Sequence, residues 1–263
     1  MFSDGVFAAK GGSVPMKRLL SLALLAVMLL GACLPAQAEK PALTREQLLS
    51  YYDGALFVGD SITAQLLVYV REQQKADPSF LKNVKFLTAQ SYMLYTASRK
   101  NLLSGKANVK YRGKELPLCQ ALQQIKPTKA LILLGMNDYI GETIEKGIGY
   151  DERLLMLAAE YAPDTEIIFQ SLTPVTPAFG HKRDYRTLWD EYNQALEKMC
   201  LEKNVGYVDI ASPLKDEEGY LDKALSSDGK CHLNPKGLAK WIQALADYAQ
   251  AQYEQGLWTP KED

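Results

Sequence analysis

Apolar positions along this chain fall into two alternating kinds of block. Short, largely apolar runs at 55–58, 84–87, 130–134, 166–170 and 205–210 predict strands. Where such a run shows no inside–outside alternation, both faces of its strand are covered. Longer stretches between them carry apolar residues at helical spacing. One helix is expected from Ile62 through Val70 to about Gln74, another over 116–125, ending before Pro127, and a third over 153–161. Tyr185, Leu188, Trp189, Tyr192, Leu196 and Met199 share one helical face. Leu238, Trp241, Ile242, Leu245 and Ala249 form an amphipathic closing helix, with Pro235 near its first turn. Strand–helix alternation of this kind predicts an α/β fold with a mostly parallel five-stranded sheet covered on both faces. Sites in such sheets lie at the carboxyl ends of the strands, so chemistry is to be sought just after each apolar run.

The first 38 residues stand outside this pattern. Met16 precedes Lys17 and Arg18 and then an apolar run over 19–30, which is a basic start followed by a core of signal-peptide length, too short for a permanent span. Leu30-Gly31-Ala32-Cys33 reads as a lipobox, and Ala36-Gln37-Ala38 as an ordinary cleavage site. The lipobox is favoured because Cys33 directly follows small residues. A lipid anchor at Cys33 would tether the mature protein to a membrane, and either site predicts an extracytoplasmic location. Met16 is expected to be the start, since residues 1–15 fit no targeting pattern. The remaining segment, 39–263, suits one single-core domain. A formal net charge of −1, with no basic–aromatic stripe, argues against a nucleic-acid partner. Cys119, Cys200 and Cys231 are odd in number; they leave room for one disulfide but read mostly as small buried apolar residues.

Three blocks carry candidate chemistry. Gly59-Asp60-Ser61 follows the first strand at a turn into a helix, where backbone N–H groups and the helix N-terminus face anything bound. Gly135-Met136-Asn137-Asp138 follows the third strand, and the Asn137 amide is a potential donor to an oxyanion. Asp228-Gly229-Lys230-Cys231-His232-Leu233 precedes the closing helix. With only His181 and His232 in the chain, a histidine-activated serine has almost one choice of base. His181 sits in a basic loop, whereas His232 has a carboxylate four residues back that would orient an imidazole. Singly, each block admits a plainer reading as a helix cap or turn.

Together, in this order, the blocks resemble those of the SGNH hydrolase family, the GDSL-like lipases and esterases, over roughly Leu56 to Ala249. The resemblance implies a flavodoxin-like three-layer α/β/α sandwich. It also implies Ser61 as nucleophile, His232 as base, Asp228 as its acid and Asn137 as an oxyanion donor. Two positions depart from the family. Its aspartate usually stands three before the histidine, against four here, and its second block carries a glycine whose N–H completes the oxyanion hole. After the second strand this chain has Thr88-Ala89-Gln90-Ser91-Tyr92, which makes Ser91 the candidate backbone donor, beside the N–H of Ser61.

The implied activity is hydrolysis of acyl esters, acetyl above all, of carbohydrates or small molecules through an acyl-enzyme, with neither metal nor cofactor required. Tyr92, Tyr95, Tyr139 and Phe179 follow strand ends and are candidates to line a sugar or acyl site, or equally to pack partly buried loops. The same catalytic residues would serve an O-acetyltransferase, and an idle glycan-binding surface lipoprotein would keep the same fold. A sugar acceptor and a serine-reactive probe, respectively, separate these alternatives from a hydrolase.

Overall fold

The computed structural model describes residues 40–138, 143–180 and 184–261; the expected leader, Cys33, Tyr139 and His181 lie outside them. Chain contacts separate two units, Met1–Ala42 and Leu43–Asp263, and every strand and helix described belongs to the second.

That unit opens with helix α1 (Arg45–Leu49), started by a reciprocal capping box between Thr44 and Gln47. Strand β1 (Leu56–Gly59) leads into α2 (Ser61–Ala76), and β2 (Lys85–Thr88) into the single turn α3 (Leu94–Ala97). A small hairpin, β3 (Val109–Tyr111) and β4 (Lys114–Leu116), precedes α4 (Leu118–Ile125). Then come β5 (Lys129–Leu133), α5 (Ile144–Tyr161), β6 (Glu166–Gln170), α6 (Tyr185–Lys203), β7 (Gly206–Val208) and α7 (Pro235–Glu254). Among the described residues no helix is long and apolar enough to cross a membrane.

The five-stranded sheet has the order β2-β1-β5-β6-β7, and all of its pairings are parallel. All four residues of β1, and the last four of β5 and of β6, are buried, as expected when helices cover both faces. Helices α1, α2 and α7 pack together, while α4, α5 and α6 pack in succession. This is the doubly wound α/β arrangement that the alternation predicts. Strand order reverses between β1 and β5, whose register pairs Gly59 with Leu133. The segments after Gly59 and Leu133 therefore leave the sheet side by side, at the crevice where such folds hold ligands.

Several boundaries differ from the expectation, each for a local reason. Leu116 ends β4 rather than starting a helix; Pro117 occupies the cap and α4 begins at Leu118. The hairpin has no counterpart among the expected elements, because strands of only three residues each are too short to show a periodic pattern. Helix α5 starts at Ile144, capped by Thr143, nine residues before the periodic stretch. Its first turns contain Gly147, where a Cβ would lie 2.9 Å from the Tyr192 ring, so packing against α6 interrupts the pattern. The three cysteines are free and buried.

Gly59 shows how closely the site is built onto the sheet. A Cβ here would lie 2.0 Å from Thr63 Oγ1 and 2.8 Å from the Leu133 carbonyl oxygen. Thr63 is fully buried and has nowhere to retreat. Gly59→Ala is expected to cost about 1–3 kcal/mol of stability by overpacking and to displace Ser61, read as a lower melting midpoint with a parallel loss of esterase rate.

Candidate active site

Asp60 caps α2. Its Oδ1 accepts the Ile62 N–H at 2.9 Å, which leaves Ser61 in the first helical position, at the positive end of the helix. Ser61 is half-buried, and its Oγ lies 3.1 Å from His232 Nε2.

The loop bearing His232 solves the four-residue spacing by a turn. Gly229 has φ +71°, a backbone state that glycine enters without steric cost. Asp228 Oδ1 accepts the N–H groups of Lys230, Cys231 and His232 at 2.8, 3.1 and 3.2 Å. Its other oxygen, Oδ2, lies 2.7 Å from His232 Nδ1. Partial burial works against the Asp228 carboxylate, but the hydrogen bonds from the His232 side chain and from the Lys230 and His232 N–H groups outweigh it and hold its pKa at about 2. Asp228 is therefore ionised at neutral pH, and an Nδ1–H donated to it leaves the Nε2 lone pair directed at Ser61.

Two residues outside the three blocks brace this loop. Thr176, following β6, donates its hydroxyl to the Gly229 carbonyl at 2.5 Å, and its N–H to that of Lys230 at 2.8 Å. Gln65, one turn along α2 from Ser61, accepts the Leu233 N–H at 3.0 Å and donates to Ser227 Oγ at 3.3 Å. The helix that carries the serine thus also holds the loop that carries the histidine. No local pattern marks either residue, because both act on segments remote in sequence.

The segments after β2 and β5 are tied to each other. Ser91, the expected backbone donor, has φ +53°, a left-handed conformation that favours glycine. Asn137 Nδ2 donates to Asp60 Oδ2 at 2.5 Å and to the Tyr92 carbonyl at 3.3 Å, so both amide protons are engaged. Asp138 accepts the N–H groups of Leu94 and Tyr95 at 2.7 and 2.8 Å, stapling the second loop to the third. Asp60 and Asp138, which the sequence offers as cap and turn residues, are thus the links between loops.

The aromatic candidates divide. Tyr92 is 1 % exposed and belongs to the core; only its carbonyl meets the site. Tyr95 is half-buried, edge-on to Tyr150 at 5.4 Å and 4.3 Å from the Arg99 guanidinium. Phe179 packs against Tyr185 and Trp189.

Burial raises Asp60 from 3.8 to about 6, opposed by the Ile62 N–H, the charge of His232 and the Asn137 amide. A raised native pKa contributes stability below the unfolded value and loses it as pH rises through the folded one. Between pH 4 and 7, Asp60 therefore removes stability from the native state, of the order of 3 kcal/mol for a shift of this size. Denaturant titrations across that range should show the difference between wild type and Asp60→Asn moving in favour of the variant as pH rises. A pH-independent difference would contradict it.

A family model described as GDSL-like lipase/acylhydrolase matches residues 57–240. No curated protein sequence matches the chain. Solved structures similar in fold include a GDSL-like lipase from Bacteroides thetaiotaomicron. It has TM-score 0.56 and 14 % identity, over 81 % of this chain and 93 % of its own. A catalytic mutant of an acetylxylan esterase from Geobacillus stearothermophilus matches with TM-score 0.51 and 17 % identity, over 74 % and 93 %.

Proposed function

Because the chain belongs to the GDSL-like lipase/acylhydrolase family and is a carboxylic ester hydrolase, we propose that it is an exported esterase that removes acetyl groups from carbohydrates or small alcohols through Ser61, His232 and Asp228. The observation that carries this reading is the unbroken line from Asp228 Oδ2 to His232 Nδ1 at 2.7 Å and from His232 Nε2 to Ser61 Oγ at 3.1 Å.

In the reaction, His232 Nε2 accepts the Ser61 proton as Oγ attacks the ester carbonyl, and Asp228 stabilises the imidazolium. The oxyanion is met by the N–H of Ser61, the N–H of Ser91 and the Asn137 amide. Asn137 exchanges its long bond to the Tyr92 carbonyl for this one and keeps its bond to Asp60. His232 then protonates the leaving alcohol, and water, deprotonated by the same imidazole, releases the acid from the acyl-enzyme.

A short acyl group is supported by a cavity of about 40 Å³ against the segment after β5 that carries Asn137, lined by Leu94, Gly135, Asp138, Ile144, Leu172 and Trp189 among others. A space of this size holds a few heavy atoms. Export, and tethering through Cys33, are supported by the leader sequence. A series of p-nitrophenyl esters tests the acyl preference. kcat/KM should fall at least tenfold from acetate to octanoate, and acetate should be released from acetylated oligosaccharides. A preference for long chains would reject the acetyl reading while keeping the esterase.

A further inference from the structure

One side chain at this site takes no part in the ester chemistry. Cys231 directly precedes His232, and its sulfur lies 3.9 Å from His232 Nδ1, the nitrogen that faces Asp228. Ligand atoms of Asp228, Cys231 and His232 all lie within 4.8 Å of one another, and no other group of three such residues occurs among the described residues. Oxygen, sulfur and imidazole nitrogen together form a donor set for a borderline-soft ion.

The spacing suits a tetrahedral ion. Atoms bound to one zinc at about 2.0–2.3 Å stand about 3.3–3.8 Å apart. The sulfur–nitrogen distance of 3.9 Å is close to this, and the nitrogen–oxygen pair at 2.7 Å opens once an ion replaces the proton between them. The frame is also prebuilt. Three backbone N–H groups hold Asp228 Oδ1 and leave Oδ2 directed at the ring, while Thr176 clasps the turn. About a third of the Asp228 and His232 side chains is exposed, and Ser61 occupies the other ring nitrogen, so an ion reaching Nδ1 does not have to displace it.

We propose that Asp228, Cys231 and His232 form an inhibitory site for Zn²⁺, which binds His232 Nδ1 and switches off hydrolysis at Ser61. The inference rests on His232 acting as the base. A neutral imidazole carries one ring proton. When the Nδ1 lone pair goes to the ion, that proton resides on Nε2: Nδ1 gives one to solvent and Nε2 takes one up. Nε2 then presents an N–H to Ser61 and has no lone pair to accept the serine proton. Cys231 releases its thiol proton to solvent and binds as thiolate, and with the Asp228 carboxylate it neutralises the charge of the ion. Water fills the fourth position, as in other three-ligand zinc sites. Mg²⁺ and Ca²⁺, which prefer all-oxygen shells, do not substitute.

The test begins with calorimetric titration of Zn²⁺ into the Ser61→Ala protein, where no turnover is needed. One ion per chain is expected at micromolar affinity or tighter, weakened at least tenfold when Cys231→Ala or Cys231→Ser is added. In wild type, ester hydrolysis should fall in step with zinc occupancy and return with EDTA. Half-inhibition in either cysteine variant should need at least tenfold more zinc, each judged against its own metal-free rate. Cys231→Ser preserves side-chain size if the alanine variant does not fold. Equal zinc affinity in all three proteins, or binding without inhibition, overturns the proposal. An active enzyme indifferent to zinc sinks the metal site alone, whereas a protein that binds zinc through Cys231 and hydrolyses no ester sinks the hydrolase mechanism.

Discussion

Ser61→Ala and His232→Ala should each lower kcat/KM on p-nitrophenyl acetate by about a thousandfold or more, with the fold intact. The first removes the nucleophile and the second the group that accepts its proton across 3.1 Å. Because the two act as a unit, the double variant should be little slower than either single one. Asp228→Asn tests the third member. The amide keeps the side-chain shape and presents a poorer acceptor to Nδ1, so the ring is less firmly held in the tautomer that leaves Nε2 free, and a large fall in kcat is expected. Far-UV circular dichroism of the same preparations separates lost chemistry from lost structure. A Ser61→Ala protein that retains the wild-type rate would reject the mechanism outright.

The largest effect on stability is expected from Trp241→Ala. Trp241 heads the largest fully buried side chains, with no exposed surface, and its indole N–H donates to Gln170 Oε1 at 2.8 Å. Truncation empties a large volume between α7 and the sheet and leaves that Gln170 oxygen without its donor, beside a Gln170 nitrogen that already lacks a partner. Truncations of this kind cost about 3–5 kcal/mol, and the orphaned oxygen adds to it. At this chain length each kcal/mol lowers the melting midpoint by roughly 2–4 °C, so calorimetry should show a drop of about 6–20 °C. Trp241→Phe keeps most of the volume and loses the hydrogen bond, and should fall clearly short of that. Since α7 begins three residues after His232, the destabilised protein should also lose esterase rate at temperatures where wild type is still active. A melting midpoint within 2 °C of wild type would show that the helix is held mainly by its other contacts.

Ser61, Asn137 and His232 are legible as candidates because each follows a strand or precedes a helix with a strong apolar pattern, and because a chain with two histidines leaves few bases. Ser91 is a candidate by position alone, and its φ of +53° is a backbone state that favours glycine. Asp228 was legible as a carboxylate near the histidine, but its bond to Nδ1 depends on a turn at Gly229 and on Thr176, more than fifty residues away. Gln65 lies one helical turn from Ser61, so its place above the serine follows from helix geometry, yet its partner Leu233 is 168 residues distant. The start of α5 was missed because Gly147, where Tyr192 packs closely, breaks the apolar period.

The sequence by itself determined the succession of strands and helices, the parallel sheet with both faces covered, and a small set of candidate residues for acyl transfer. Burial repeats with the period of each element and is therefore written locally. Only the tertiary structure decided that β1 lies between β2 and β5, that Ser61 meets a histidine 171 residues away, that Asp60 holds Asn137, and that Cys231 shares the Asp228 side of the imidazole. These contacts depend on strand order and loop turns, whose free energy comes from residues far apart in the chain, so no local pattern encodes them.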